Sequence, residues 1–167
     1  MIELKQRVHQ FFFPSLTPRF LLRLVLIAVG AYLFFEQVCI PFRIHGRSME
    51  PTYQDGGFNF CWTPSYWFAH PQLSDVVLIR FAGQQVMLLK RVVALEGETV
   101  EFQEGRLFVN GKERDEPYLK YPCDWNLPPR RVEQGKVYVV GDNRNQPSEA
   151  HQFGQTLITR IRGKPLW

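Results

Sequence analysis

From Phe20 to Ile40 the chain is apolar at nearly every position: Leu21-Leu22-Arg23-Leu24-Val25-Leu26-Ile27-Ala28-Val29-Gly30-Ala31-Tyr32-Leu33-Phe34-Phe35, then Glu36 and Gln37 before Val38, Cys39 and Ile40. A helix crosses a hydrocarbon core with about 20 such residues, so the run is just long enough. Arg23 and Glu36 fall near its ends, where an arginine snorkels and a carboxylate reaches the headgroup layer. A cleaved secretory leader has a shorter core closed by a small-x-small site, and Phe35-Glu36-Gln37-Val38-Cys39-Ile40-Pro41 offers none. A buried core helix is the other reading, but a run with so few charges exceeds what a small β domain hides. Residues 20–40 are therefore expected to form one membrane anchor, with a leader over 1–19 and a domain over 41–167. Lys5, Arg7 and Arg19 precede the span and Arg23 lies in its first turn, while Arg43 and Arg47 follow it, a bias that modestly favours the N-terminus in the cytoplasm and the bulk of the chain on the far side. Met1 to Phe13, with Phe11-Phe12-Phe13 after a basic stretch, reads either as an interfacial segment or as a disordered leader.

Beyond the anchor, about 125 residues suffice for one domain with a real core. The net charge of +4 and pI of 9.1 come from scattered basic residues, so anionic lipid is the expected partner and nucleic acid is not. Three cysteines make no framework. Cys39 falls at the membrane edge, and Cys61 and Cys123 either pair in an oxidising compartment or stay free. No metal-ligand spacing links them to the four histidines, and no cofactor is expected.

The domain reads as β structure. Asp75–Phe81, Val86–Ala94, Thr99–Phe102, Leu107–Val109 and Lys136–Val140 are short runs rich in β-branched residues, with turn signals at Glu104-Gly105 and Asn110-Gly111. From Glu113 to Pro129 the chain carries Pro117, Pro122, Pro128 and Pro129, which predicts an excursion rather than a central strand.

Two residues carry candidate chemistry. Ser48 lies in Gly46-Arg47-Ser48-Met49-Glu50-Pro51-Thr52, a loop between the anchor and the first strands, and loops on rigid scaffolds commonly hold nucleophiles. Most such serines only make turns. Lys90 interrupts Val86-Met87-Leu88-Leu89 and Val92-Val93-Ala94. An exposed lysine, with a pKa near 10.4, is protonated at neutral pH. Burial penalises the ammonium, and a drop of about 3 units corresponds to about 4 kcal/mol. A neutral Lys90 amine could then take the proton of Ser48 as a serine-lysine dyad; the plain alternative is a lysine snorkelling from a strand edge.

These residues resemble the type I signal peptidase family of membrane-bound serine proteases. Ser48-Met49-Glu50-Pro51-Thr52 matches the family's Ser-Met-x-Pro-Thr. Ser74-Asp75-Val76-Val77 is similar to its Gly-Asp-Val-Val strand, and Lys90-Arg91-Val92-Val93-Ala94-Leu95-Glu96-Gly97-Glu98 to its Lys-Arg-Val-x-Gly-x-x-Gly-Asp segment. Gly141-Asp142-Asn143-Arg144 matches the last motif. The resemblance covers roughly residues 40 to 155. It implies a mainly antiparallel β fold, Ser48 as nucleophile and Lys90 as general base. It also implies Asp142 paired with Arg91, the Ser48 backbone N–H as oxyanion donor, and Met49 packed beneath the nucleophile loop. Secretory precursors, cut after a small-x-small segment, would be the substrates. Where some relatives carry a hydroxyl donor two residues before the nucleophile, this chain has Gly46.

The last motif departs from the family pattern Asp-Asn-Arg-x-x-Ser-x-Asp-Ser-Arg, because the chain continues Asn145-Gln146-Pro147-Ser148-Glu149-Ala150-His151. Pro147 takes the place of the serine that orients the lysine, Glu149 that of the aspartate, and His151 that of the arginine. Either Ser148, one residue late, orients Lys90, or packing alone holds it. Glu149 and His151 read as a solvated pair or a structural ion pair, and a Ser48-His151-Asp triad is a weaker alternative. Three other functions stay open: a specialised protease maturing one exported or pilin-like substrate, a self-cleaving repressor relative, which the anchor argues against, and a catalytically impaired binding or assembly protein tethered to the membrane.

Overall fold

The computed structural model describes residues 16–82, 86–145, 147, 148 and 154–167, and the chain divides into two units, Met1–Gln37 and Val38–Trp167. The segment Met1 to Phe13 lies outside the described residues. In the first unit, α1 (Pro18–Gln37) starts where Thr17 Oγ1 accepts the Phe20 N–H at 3.3 Å. Pro18 stands at the first helical position, where its missing donor is not needed. None of the helix is buried. A helix apolar all round has no water-facing side, and by length and composition α1 is able to cross a membrane.

The second unit is antiparallel β. One sheet has seven strands in the order β1 (Cys39–Arg43), β2 (Phe58–Trp62), β11 (Ile161–Pro165), β3 (Val76–Ala82), β4 (Val86–Ala94), β9 (Lys136–Val140) and β10 (Gly154–Leu157). The other has four, in the order β7 (Lys112–Glu113), β6 (Arg106–Val109), β5 (Thr99–Gln103) and β8 (Leu127–Arg131). Cys39 and Ile40, the tail of the apolar run, open β1, paired with Trp62 and Cys61.

The central strands β3, β4 and β9 are nearly continuous apolar runs because both of their faces are covered. On one face, Leu78 and its partner Leu89 pack with Ile44, Met49 and Cys61. On the other, Val77, Ile79 and Val92 pack with Val137 and Val139. A third cluster joins Val93, Ala94, Tyr138 and Val140 to Val100, Phe102, Leu107, Val109, Trp125 and Val132; Phe102 and Trp125 meet edge to face at 5.5 Å. Asn110 and Gly111 turn the chain with φ of 54° and 72°, the left-handed pair of a tight hairpin. Pro128 and Pro129 sit in β8, an edge of the smaller sheet, where a missing donor is tolerated.

β1, β2, β7, β8, β10 and β11 are not among the strands expected from sequence, and β8 takes up the end of the stretch expected to be an excursion. β11 passes so close to β2 that a Cβ on Gly163 would lie 2.3 Å from the Trp62 carbonyl oxygen, so glycine there admits the pairing. The three cysteines are free thiols. Cys61 and Cys123 belong to different clusters, and burial pushes the Cys61 thiol up to about 11.

Candidate active site

Ser48 stands in the connection between β1 and β2. Gly46, at φ 89°, lets the chain reverse, and its N–H donates to Asp55 Oδ1 at 2.8 Å. The Arg47 carbonyl accepts the Glu50 N–H at 3.2 Å, and the Met49 carbonyl accepts the Tyr53 N–H at 2.9 Å. The Glu50–Pro51 peptide is cis. Met49, 1% exposed, is sunk among Ile44, Cys61, Leu78 and Leu89, which seats the turn on the sheet and leaves Ser48 half-buried at its rim. Ser48 and Met49 line a cavity of about 430 Å³ together with Pro41–Gly46 of one segment and Met87, Leu88 and Leu89 of β4.

Lys90 is 2% exposed. It lies opposite Val77 in the β3–β4 ladder and shares a face of β4 with Leu88 and Val92, since alternate strand residues do. Among the described residues its ammonium forms no hydrogen bond or salt bridge. Burial pushes the Lys90 pKa down to about 8, against the charge of Asp142, which pulls it upward. About a tenth of the amine is then neutral at pH 7.

The β9 edge of β4 explains how a distant loop reaches this lysine. β9 pairs with β4 only from Arg91 onward, with Arg91 opposite Val140. At the level of Lys90 the chain has left the ladder, and Gly141-Asp142-Asn143 turns away toward Ser48. The Asn143 N–H donates to the Ser48 carbonyl at 2.9 Å, and Asn143 Nδ2 donates to the Arg47 carbonyl at 3.0 Å.

Arg91 points to the other face of β4 and takes Asp142 with both arms, Nε to Oδ1 at 2.8 Å and Nη2 to Oδ2 at 2.6 Å. Asp142 is fully buried. Arg91 also donates to the Ser74 carbonyl at 2.8 Å and stacks 3.9 Å from the Tyr118 ring centroid. Thr52 Oγ1 donates to Asp142 Oδ2 at 2.5 Å, so the Ser48 loop and the lysine strand share one carboxylate. Behind it, Arg144 is 1% exposed. It donates to the Gly141 carbonyl at 2.7 Å and to both carboxylate oxygens of Glu116, at 2.7 and 3.2 Å.

The structure thus places Arg91 against Asp142, Met49 beneath Ser48, and Ser48 on a cavity walled by the strand of Lys90. Pro147 is exposed and Ser148 half-buried. Glu149 and His151 lie outside the described residues. Sequence reasoning gave no role to Thr52, Asn143 and Arg144, although each falls inside a motif, and it missed Glu116 and Tyr118, which sit in an irregular stretch with no period to mark them.

A family model described as signal peptidase, peptidase S26, matches residues 18–166. Probable signal peptidase I-1 of Synechocystis sp. is 35% identical over 155 residues, covering 88% of this chain and 78% of its own. Signal peptidase I V of Bacillus subtilis is 34% identical over 140 residues, covering 75% and 83%. Thylakoidal processing peptidase 1, chloroplastic, of Arabidopsis thaliana is 32% identical over 147 residues, covering 81% of this chain but 43% of its own length, so the chain spans less than half of that relative.

Proposed function

The chain belongs to the signal peptidase family, peptidase S26, and we propose that it is a membrane-anchored serine endopeptidase that removes signal peptides from translocated precursors with Ser48 as nucleophile and Lys90 as general base. The observation that carries the reading is a lysine without a polar partner among the described residues, buried until its pKa falls to about 8, on the strand whose Met87–Leu89 stretch walls the cavity of Ser48.

In the acylation step, Ser48 Oγ attacks the scissile carbonyl carbon while its proton passes to Lys90 Nζ. The carbonyl oxygen becomes an oxyanion, and the Ser48 N–H, which meets no acceptor among the described residues, donates to it. The tetrahedral adduct collapses, the C–N bond breaks, and Lys90 returns the proton to the leaving amine. Water then gives a proton to Lys90 and attacks the acyl carbon; this second adduct collapses, the C–O bond to Ser48 breaks, and Lys90 returns the proton to Ser48 Oγ as the peptide acid leaves. A donor at the oxyanion is worth about 3 kcal/mol; a positioned base contributes about 10²- to 10⁴-fold.

Substrate fits the cavity in extended form. Met87–Lys90 has no β9 partner on one edge and Pro41–Gly46 faces the cavity from the other segment, so a strand laid between them finds backbone donors and acceptors. α1 anchors the enzyme in a membrane. Lys5 and Arg7 ahead of α1, with Arg19 and Arg23 in its first turns, against Arg43 and Arg47 beyond it, support a cytoplasmic N-terminus with the β unit on the opposite side, where anionic lipid is the bilayer partner. Pro147 has no hydroxyl to offer Lys90, so either Ser148, one residue later, orients the amine or packing holds it.

Cleavage of a precursor bearing an Ala-x-Ala site by the detergent-solubilised chain tests the reading. Wild type is expected to release the mature protein, and Ser48→Ala and Lys90→Ala are each expected to abolish release. Release that persists in either variant, or folded wild type that cuts nothing, would overturn it.

A further inference from the structure

In a trans peptide the carbonyl and the N–H of one unit point in opposite directions. The Arg47–Ser48 unit is trans, as Glu50–Pro51 is the cis bond recorded, and its carbonyl is held by Asn143 Nδ2 at 3.0 Å and by the Glu50 N–H at 3.2 Å. Its N–H belongs to Ser48. Fixing the Arg47 oxygen toward Asn143 therefore aims the Ser48 N–H away from Asn143, where it finds no acceptor among the described residues. The next unit is pinned by the same residue, because the Asn143 N–H donates to the Ser48 carbonyl at 2.9 Å. Asn143 is 8% exposed, and its own Oδ1 accepts the Asn145 N–H at 3.2 Å, which orients the amide with its donors toward Arg47.

We infer that Asn143 is a positioning residue for the oxyanion donor: its two donors clasp the carbonyls on either side of Ser48 and hold the Ser48 N–H aimed outward before substrate arrives. The Gly46 N–H is occupied by Asp55 and position 46 has no hydroxyl, so this chain leans on the Ser48 N–H more than a relative with a second donor does. Without the clasp, only the turn's own 3.2 Å bond opposes rotation of the Arg47–Ser48 plane, and a rotated plane points a carbonyl where the developing anion needs a donor. Pre-aligned donors matter because they cost no reorganisation at the moment of reaction.

The inference rests on the serine-protease reading, and the experiment separates the two. With full-length chain in detergent, wild type and Ser48→Ala establish whether cleavage depends on Ser48. Asn143→Asp and Asn143→Ala are then compared for kcat, KM and two ligands. One is a peptide aldehyde that adds to Ser48 and places an oxygen in the hole; the other is the same peptide with an unreactive terminus. Loss of the donor's alignment is expected to lower kcat by about 10²-fold, the low end for removing such a donor. Aldehyde affinity should fall by a similar factor, with KM, the unreactive peptide and the pH midpoint of kcat unchanged. Cleavage within twofold of wild type, or equal weakening of both ligands, overturns the inference while leaving the serine mechanism standing. Should Asn143→Ala not fold, Asn143→Asp carries the test; failure of both to fold makes Asn143 a residue of the fold and overturns the inference too. No cleavage by wild type overturns the reading beneath it.

Discussion

Replacing Lys90 by methionine should stabilise the protein while abolishing its activity. Methionine keeps the unbranched length of lysine and removes only the amine. The Lys90 pKa is lowered from 10.5 to about 8, a difference of about 2.5 units, so the folded state carries a penalty of about 3 kcal/mol for the protonated amine at pH 7. The sign follows from proton counts. Below pH 8 both folded and unfolded chains hold the proton and the whole penalty is present. Between about 8 and 10.5 the unfolded chain holds more protons, so wild-type stability rises with pH. Above that range neither state is charged and the penalty is gone. Thermal unfolding of full-length wild type and Lys90→Met in the same detergent, followed by tryptophan fluorescence, should show a gain of roughly 10 °C at pH 7, shrinking as pH rises through 8 toward 10.5. No gain at pH 7, or a gain equal at pH 7 and pH 10.5, would refute the reasoning, since Lys90 would then be hydrated and its charge unpenalised.

The rate of precursor cleavage should rise with pH through about 8 as Lys90 loses its proton; a kcat profile flat from pH 5 to 9 would exclude it as the base. Asp142→Asn leaves Arg91 buried without its carboxylate and should cost about 3 kcal/mol or more, read by denaturant unfolding. The same substitution removes the charge that pulls the Lys90 pKa upward, so the midpoint of any residual activity should move to lower pH. Ser74, at φ 69° where the family pattern has glycine, holds a left-handed backbone at a cost of about 1 kcal/mol, and Ser74→Gly should raise the unfolding midpoint with kcat unchanged.

The sequence made the anchor and the central strands legible because each announces itself by period or run length. α1 is a long apolar stretch, and β3, β4, β5, β6 and β9 carry β-branched residues between clear turns. β1 was hidden because its first residues prolong the apolar run, so the end of the helix carries no compositional mark. β11, Ile161-Arg162-Gly163-Lys164-Pro165, holds a glycine and a proline that argue locally against a strand; what selects it is a close approach to Trp62, which only the folded chain reveals. At the candidate site, Ser48, Lys90, Arg91 and Asp142 were singled out by motif order. Glu116 and Tyr118 were not, because their roles arise from being brought to Arg144 and Arg91 across the fold, and a polar, proline-bearing stretch gives no hint of its partners. Thr52 and Asn143 lay in plain view, but a side chain whose work is to hold a backbone carbonyl or a carboxylate elsewhere has no signature of its own.

The adjacent cations of β4 show how one strand makes two opposite electrostatic environments. Lys90 and Arg91 are neighbours in sequence and therefore project to opposite faces. A carboxylate reaching this strand chooses between them, and Asp142 is engaged by Arg91 through two hydrogen bonds at 2.8 and 2.6 Å with Thr52 adding a third at 2.5 Å. That choice decides the chemistry. Were Asp142 to pair with Lys90 instead, the ammonium would be stabilised and the lysine would stay protonated well above neutral pH, useless as a base. Because a planar guanidinium binds a carboxylate with two parallel bonds and an ammonium binds it as a point charge, the arginine wins the acid. Lys90 is left to an apolar face with only a residual pull from Asp142, which is the condition under which burial can bring its pKa down to about 8. The order Lys-Arg along β4, together with one buried aspartate, thus sets a rigid brace on one side of the strand and an amine of lowered pKa on the other.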